Sequence, residues 1–219
     1  MMLSIEGVLT PAEVADVVAA LGRARFSHGR ATAGWAARSV KNNGQARESD
    51  EIRTLRELIS ERLLSHPVFE MAARPKRIIG PMFSRYRNGD TYGEHVDEPL
   101  MDGARTDVSF TLFLTAPESY VGGELIISSP AGEDAIKLPA GAVIVYPATT
   151  LHRVAPVTSG ERLAAVGWVR SYIRNAEQRE ILFELDTARR DVFKREGAST
   201  TFNQLSKAVA NLLRMWCDD

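Results

Sequence analysis

"TDVSFTLFLT", residues 106–115, contains the clearest strand pattern in this sequence. Apolar side chains occupy every second position from Val108 to Leu114, and polar ones occupy the positions between them from Asp107 to Thr111. Successive side chains of a strand point to opposite faces, so this alternation predicts a half-buried strand with one face on a core and the other polar.

Six further runs rich in strand-forming residues lie between Lys76 and Ile173, separated by glycine, proline and asparagine. They are "RIIGPMFSRY", "GELIISS", "EDAIKLP", "AVIVYP", "LHRVAPV" and "RLAAVGWVRSYI". Seven short strands at this spacing predict an antiparallel sandwich or barrel, because parallel units would need helices between the strands.

Helices are predicted before this β-rich region. The sequence from Thr10 to Glu13 has a capping-box pattern with proline at the first helical position, and apolar residues then recur at helical spacing. A second helix is predicted from about Ser49 to Leu64, with Pro67 ending it. Between them, "AGWAARSVKNNGQ", residues 33–45, is typical of a strand running into an Asn-Gly turn.

Two more helices are predicted after Asn175, in "AEQREILFELDTARRDVF" and "TFNQLSKAVANLLRMW". The second has an apolar stripe from Phe202 to Trp216. Docking of this stripe on the outside of the barrel is the favoured interpretation, and pairing with a second copy in a homodimer is the alternative.

Composition narrows the class of protein. The 219 residues are 44% hydrophobic and 25% charged, which is ordinary for one globular domain, and the net charge of −1 disfavours nucleic acid or an anionic membrane as partner. The single cysteine, Cys217, excludes an internal disulfide framework and a cysteine metal cage. With no signal-peptide pattern and no apolar run long enough to span a bilayer, a cytoplasmic protein without a membrane segment is expected.

A candidate metal site begins in "DTYGEHVDEPLM", residues 90–101, where His95 and Asp97 are two positions apart. Such a pair is a weak signal until a third ligand is found, and His152 in "YPATTLHRVAPV" is the candidate. Two imidazoles and one carboxylate on one side of a metal form the facial triad of non-haem Fe(II) oxygenases. His28 and His66 have no suitable partner and are interpreted as structural or solvent-facing.

Arg162 follows His152 by ten residues and begins a strand. A period of two places it on one face with Trp168, and this face is predicted to point into the barrel. A buried arginine needs either a protein carboxylate or an anionic ligand, and its planar fork suits a carboxylate. Tyr86 can donate a hydroxyl to the same carboxylate, or be only an aromatic residue of the barrel wall.

This set of residues resembles the Fe(II)- and 2-oxoglutarate-dependent dioxygenases of the prolyl 4-hydroxylase type. His95-x-Asp97, the distal His152, Arg162 ten residues on and Trp168 six further match that family's pattern, and "FSRYRNGDTYGEHVD" resembles its approach to the first ligand. The whole chain is similar to the bacterial PKHD-type hydroxylases, a group associated with iron uptake. Many prolyl hydroxylases have lysine at the position of Arg162, although arginine has the same role in other members.

The resemblance implies an α+β fold: a double-stranded β-helix (jelly-roll, cupin-like) core with N-terminal helices packed on it and a C-terminal helical extension. The expected division is a dioxygenase domain at residues 1–175, with its β core at about 76–173, and the extension at 176–219.

The resemblance also implies the chemistry. His95, Asp97 and His152 are expected to be the catalytic metal ligands for Fe(II), and Arg162, Tyr86 and Trp168 to bind 2-oxoglutarate. With O₂, the enzyme would hydroxylate an unactivated C–H bond of a small-molecule or peptidyl substrate and convert 2-oxoglutarate to succinate and CO₂. L-Ascorbate is an additional expected cofactor in enzymes of this type.

Two alternative functions stay open at this point. One is another cupin-type metalloenzyme that does not use 2-oxoglutarate, against which Arg162 is the discriminating residue. The other is a non-catalytic jelly-roll binding module, in which a structural metal would need a closed ligand set rather than three protein ligands.

Overall fold

The computed structural model describes residues 1–32, 34–35 and 37–218. Antiparallel β-structure occupies the middle of the described chain, with helices toward both ends. The strands are β1 (Leu3–Ile5), β2 (Phe26–His28), β3 (Lys41–Asn42), β4 (Gly44–Ala46), β5 (Pro75–Tyr86), β6 (Thr91–His95), β7 (Leu100–Met101), β8 (Ala104–Arg105), β9 (Val108–Phe113), β10 (Tyr120–Gly122), β11 (Leu125–Ser129), β12 (Gly132–Ile136), β13 (Val143–Pro147), β14 (His152–Val154), β15 (Val157–Gly160) and β16 (Arg162–Ser171).

Two sheets form the core of the fold. The larger sheet has the strand order β1-β13-β9-β16-β5-β4-β2, and the smaller one has the order β12-β11-β14-β6-β3. Their inner faces share one apolar cluster, to which the larger sheet contributes Tyr86, Phe113 and Tyr146 and the smaller one Leu125 and Val154. The predicted α+β fold with a double-stranded β-helix core is confirmed, and each of the seven predicted runs contains a strand.

The strand β9 differs from its prediction, because both of its faces are buried. Its apolar face, with Phe110 and Leu112, packs in the cluster that the N-terminal helices share. Its polar face, with Ser109 and Thr111, lines an internal pocket instead of meeting solvent. Alternation of polar and apolar residues shows only that the two faces of a strand differ. The polar face can line a binding pocket as well as meet solvent.

Five α-helices are present in the described chain: α1 (Pro11–Arg23), α2 (Asp50–Ser65), α3 (Pro67–Ala73), α4 (Ala176–Glu196) and α5 (Thr200–Trp216). Thr10 and Glu13 form the predicted capping box at the start of α1. Pro67 follows the end of α2 as predicted, but it also begins α3, where the missing N–H of proline costs nothing. None of these helices is long and apolar enough to cross a membrane.

The prediction for residues 33–45 was largely wrong. The described part of this segment has a 3₁₀ turn at Ala37–Ser39 and the short strands β3 and β4, while Ala33 and Ala36 lie outside the described residues. β3 pairs with β6 and β4 pairs with β5, so the chain crosses from the smaller sheet to the larger one at Asn43. In place of the predicted strand and Asn-Gly turn, two short strands pair with different partners.

The C-terminal helices pack within the chain. On α5, Val209 is buried in a cluster with Ile173 and Leu182, and Trp216 packs against the same cluster. The apolar stripe therefore packs on α4 and on Ile173, two residues past the end of β16. A further contact to the core is the ion pair between Arg74 and Asp186, whose atoms are 2.9 Å apart. The division into domains at residues 175 and 176 stays a prediction.

Candidate active site

Two neighbouring strands of the smaller sheet bring the predicted metal ligands together. His95 is the last residue of β6, His152 is the first residue of β14, and the two lie opposite each other in the register. Asp97 follows His95 by two residues, and its Oδ1 is 3.8 Å from the Nε2 atom of each histidine. One ligand atom from each of the three residues lies within 4.8 Å of the other two, which is a geometry for holding one metal ion.

Each of the three side chains is held by a further hydrogen bond. The Nδ1 atoms of His95 and His152 lie 2.8 Å and 3.0 Å from the carbonyl oxygens of Gly93 and Thr150. Carbonyl oxygens only accept, so both Nδ1 atoms carry the proton and both Nε2 atoms present a lone pair toward the shared centre. Ser109 donates its hydroxyl to Asp97 Oδ2 at 2.6 Å, which leaves Oδ1 directed at the histidines. Such partners orient ligands before a metal binds.

The environment of His95 favours the neutral imidazole that a metal requires. Burial, and then the proximity of His152, lower the pKa of His95 to about 4. Its ring is stacked on Tyr92 with the centroids 3.7 Å apart, and its centroid is 4.3 Å from that of His152. Protons therefore compete for this nitrogen only in acid well below the usual histidine range.

Arg162 has the environment of a residue that binds an anion. It is 1% exposed, and within the part of the chain that the structure describes none of its guanidinium nitrogens has a hydrogen-bond partner. The Cζ atom lies 5.1 Å from the ring centroid of Tyr86 and 5.4 Å from that of Phe113. Gly123 leaves room for this side chain, because a Cβ there would lie 3.1 Å from Arg162 Cδ. A buried cation whose donors are unused is costly, and a bound carboxylate would satisfy them.

Tyr86 and Trp168 line the same pocket as Arg162. Tyr86 lies opposite Arg162 in the register of β5 and β16, and its ring faces the guanidinium. Trp168 packs beside Ile79 and Ala148, and its indole Nε1 is buried without a hydrogen-bond partner among the described residues. Their role in binding 2-oxoglutarate stays a prediction.

The pocket opens between the two sheets and has an empty volume of about 730 Å³, its open mouth included. The charged and titratable groups of its lining include the three candidate ligands and Arg162 inside, and Glu98 at the exposed mouth. Two histidines that the sequence set aside lie elsewhere: His28 is exposed, and His66 is the residue between α2 and α3.

Sequence reasoning missed several residues of this pocket. The position of Ser109 on the polar face of an alternating strand could have indicated a pocket residue, but nothing in the sequence pairs it with Asp97. Tyr146 is buried with its ring centroid 5.2 Å from that of His152. Lys41 is also buried in the lining, and this burial lowers its pKa to about 8, against the opposing effect of the Asp97 charge. Its sequence context, a predicted strand and turn, gave no indication of a site.

Comparison with protein families matches two parts of the chain. Residues 81–170 match the model of the 2OG-Fe(II) oxygenase superfamily, which covers all of the candidate metal ligands and Arg162. Residues 177–218 match the PKHD-type hydroxylase C-terminal domain, which covers α4 and α5 almost completely.

Among individual proteins, the chain is 50% identical to a PKHD-type hydroxylase of Acaryochloris marina, with all of both chains covered. It is similar in fold to a prolyl hydroxylase of Trichoplax adhaerens, with a TM-score of 0.59, 17% identity and coverage of 83% of this chain and 86% of that one. A viral collagen prolyl hydroxylase of Paramecium bursaria Chlorella virus-1, solved with 2-oxoglutarate, gives a TM-score of 0.53, 22% identity and coverage of 78% and 96%.

Proposed function

The chain belongs to the PKHD-type hydroxylases of the 2OG-Fe(II) oxygenase superfamily, and from this membership we propose that it holds Fe(II) on His95, Asp97 and His152 and 2-oxoglutarate on Arg162. The protein is an Fe(II)- and 2-oxoglutarate-dependent dioxygenase that hydroxylates a C–H bond. The observation that carries the residue assignment is the convergence of three ligand atoms in the pocket that also holds the unsatisfied guanidinium of Arg162.

The donor set fits Fe(II). Two neutral imidazoles and one carboxylate are the ligands of the facial triad, which leaves other coordination positions open for the co-substrate and O₂. When bound there, the iron and 2-oxoglutarate supply oxidative hydroxylation of a substrate, with succinate and CO₂ as the products from 2-oxoglutarate. The hydrogen bonds from His95, His152 and Ser109 keep the three ligands in place, so little reorganisation is needed when the metal binds.

The proposed role of Arg162 is to hold the C5 carboxylate of 2-oxoglutarate. Its planar fork can make two parallel hydrogen bonds to one carboxylate, and both would form in a buried site. Tyr86 restricts the guanidinium through the contact of its ring, and we propose that its hydroxyl lies beside the same carboxylate. Trp168 would form the adjoining wall.

The two alternative functions lose their basis with this family membership. A cupin-type enzyme that does not use 2-oxoglutarate has no need for a buried arginine in the metal pocket, and a structural metal would have a closed ligand set. The presence of the Asp97 carboxylate favours hydroxylation over halogenation, because the resemblance places a small residue at this position in related halogenases.

The test of the proposal is the formation of succinate. Purified protein with Fe(II), 2-oxoglutarate and air should produce succinate slowly without substrate, and faster with a hydroxylatable one. His152→Ala should abolish this reaction without unfolding the barrel, and the surface variant Lys207→Ala should leave it unchanged. Succinate formation by His152→Ala at the wild-type rate would mean that the third ligand is a different residue.

Four finer proposals come from the sequence. Ascorbate would preserve activity by reducing oxidised iron, which the same assay tests when ascorbate is omitted. A cytoplasmic location is proposed from the lone cysteine, and a link to iron uptake from the family resemblance. Fractionation of cells grown with and without iron tests both, the first by the fraction that contains the protein and the second by the change in its amount. A homodimer through the C-terminal helices has less support, because part of the apolar stripe of α5 packs within its own chain. Light scattering that finds a monomer at micromolar concentration would refute it.

A further inference from the structure

One short stretch of the chain, residues 105–109, holds the candidate ligand Asp97 from two sides. Ser109 donates its hydroxyl to the Asp97 carboxylate at 2.6 Å. Thr106 donates its hydroxyl to the backbone carbonyl of Glu98, the residue that follows Asp97, also at 2.6 Å. The side chain of the ligand and the backbone next to it therefore depend on the position of the same stretch.

The residues between these two contacts form a closed hairpin. Its strands β7 and β8 pair with each other, and the N–H of Thr106 donates to the carbonyl of Pro99 at 3.1 Å. Met101 in this hairpin and Glu98 at its base both line the candidate active-site pocket. A shift of the hairpin would therefore move part of the pocket wall together with the backbone beside Asp97.

Arg105 braces the base of this hairpin. Its Nε donates to Asp107 Oδ1 at 2.6 Å, and its Nη1 donates to Asp218 Oδ2 at 2.8 Å. The side chain of Asp107 is 4% exposed, and its Oδ2 accepts the N–H of Ser171, the last residue of β16, at 2.9 Å. Hydrogen bonds between two charged groups are about twice as strong as those between neutral ones. One guanidinium thus joins the hairpin, the residue before β9 and the C-terminal segment.

The C-terminal extension contacts this stretch a second time. Arg179 of α4 is buried, and its Nη2 donates to the backbone carbonyl of Asp107 at 3.3 Å. Asp218 is itself fixed, because its N–H donates to the carbonyl of Tyr172 at 2.7 Å. The hydrogen bond from Arg105, and then its charge, lower the pKa of Asp218, so this pair is ionised at neutral pH. Both contacts come from the part of the chain that matches the PKHD-type hydroxylase C-terminal domain.

We propose that Arg105 is a positioning residue that couples the C-terminal extension to the metal ligand Asp97. A ligand whose supporting segment moves freely must be ordered when the metal binds, and the cost of ordering weakens binding. The extension would therefore strengthen metal binding, although none of its residues is a candidate ligand. This inference rests on the proposed function, because it takes Asp97 as a metal ligand.

The experiment measures the Zn(II) affinity of the full-length protein by competition with a chelator. Arg105→Met removes both ion pairs, Arg105→Lys keeps the charge without the fork, and Asp218→Ala removes only the contact to the C-terminal segment. Asp191→Ala is the matched control, since Asp191 Oδ1 pairs with Lys194 Nζ at 3.6 Å within α4 of the same extension.

Arg105→Met should weaken Zn(II) binding about tenfold, which is the lower end of the range for residues that orient a metal ligand. Asp218→Ala should weaken it about threefold, because this side chain is 43% exposed and water competes for its ion pair. Arg105→Lys should lie between the wild type and Arg105→Met, and it is the variant to use if the methionine variant does not fold. Asp191→Ala should bind Zn(II) as the wild type does.

The double variant Arg105→Met/Asp218→Ala tests whether Asp218 acts through Arg105. It should bind Zn(II) no more weakly than Arg105→Met alone, because the contact that the second substitution removes is already lost. Additive losses would overturn the coupling. Wild-type affinity in Arg105→Met or in Asp218→Ala would overturn it as well. A loss in Asp191→Ala equal to that in Asp218→Ala would do so too, since it would show a general loss of stability in the extension.

Amide hydrogen exchange of the metal-free protein separates this inference from the proposed function. The N–H of Thr106 should exchange about fivefold faster in Arg105→Met and in Asp218→Ala, because the hairpin opens more often. The N–H of Leu114, which donates to the carbonyl of Leu163 at 3.0 Å, should exchange as in the wild type. Unchanged exchange at Thr106 would overturn the positioning role alone. Failure of the wild type to bind Zn(II) would contradict the proposed function instead.

Discussion

Replacement of Arg162 by methionine should have opposite effects on binding and on folding. The guanidinium is 1% exposed and its nitrogens are unsatisfied within the described chain, so it is an electrostatic cost in the protein without 2-oxoglutarate. Methionine fills much of the same volume without a charge. An unsatisfied buried polar group costs about 1–3 kcal/mol. Arg162→Met without ligand should therefore unfold at a temperature no lower than that of the wild type, and higher if the pocket closes well.

The binding of 2-oxoglutarate should fall steeply in the same variant. Loss of one partner of a buried, hydrogen-bonded charge pair costs about 2–5 kcal/mol. This corresponds to a rise in the dissociation constant of roughly thirtyfold to several thousandfold. Arg162→Lys should lose less, because the charge survives while the fork geometry is lost. Metal binding should barely change, since Arg162 is not among the candidate ligands.

Thermal melting of the Zn(II)-loaded protein measures both effects. At a free 2-oxoglutarate concentration one hundred times the wild-type dissociation constant, the ligand stabilises the wild type by about 2.7 kcal/mol. For a chain of this length that is a rise in Tm of roughly 5–10 °C. A variant that binds a thousandfold more weakly should show no measurable rise. Anaerobic titration of the absorption band of the Fe(II)–2-oxoglutarate complex gives the dissociation constants directly.

The matched control is Arg153→Met. Arg153 lies on the neighbouring strand β14, is half-buried and pairs with Glu133 outside the pocket. This variant should keep the full stabilisation by 2-oxoglutarate. Equal 2-oxoglutarate affinities in the wild type and Arg162→Met would refute the assignment. A large loss of stability in ligand-free Arg162→Met would show that the arginine serves the fold.

Two further predictions concern the metal ligands. Ser109→Ala removes the hydrogen bond to Asp97 and should weaken metal binding about 10–100-fold. The control Ser84→Ala, in the same pocket, should bind the metal as the wild type does. Equal Zn(II) affinities of the wild type and Ser109→Ala in a titration would contradict the role of Ser109. In the metal-free protein, an NMR titration of the His95 imidazole should have its midpoint well below 6.5, toward about 4. The unfolded chain takes up this proton near pH 6.5, so the contribution of neutral His95 to folding stability is complete above that pH and is lost as the pH falls through 4. An NMR midpoint near 6.5 in the folded protein would contradict the argument that burial lowers this pKa.

Local patterns were enough for the core of the fold. A strand is recognised in sequence by its period of two, and a helix by its caps and apolar stripe. The seven β-rich runs, the start of α1 and both limits of α2 were therefore predicted from neighbouring residues alone. Where a prediction failed, at residues 33–45, hydrogen bonding to distant strands decided the conformation. β3 and β4 are too short to specify their partners, and β6 and β5 supply them from different sheets.

The sequence by itself determined the chemistry that is available: two histidines, one aspartate and one arginine at a spacing that indicated a facial triad and a carboxylate partner. Only the tertiary structure decided which other groups join them. Ser109 reaches Asp97, and Lys41 reaches the metal pocket, through the register of strands far apart in the chain. Register depends on hydrogen bonds and packing summed over both sheets, so no short stretch of sequence contains it.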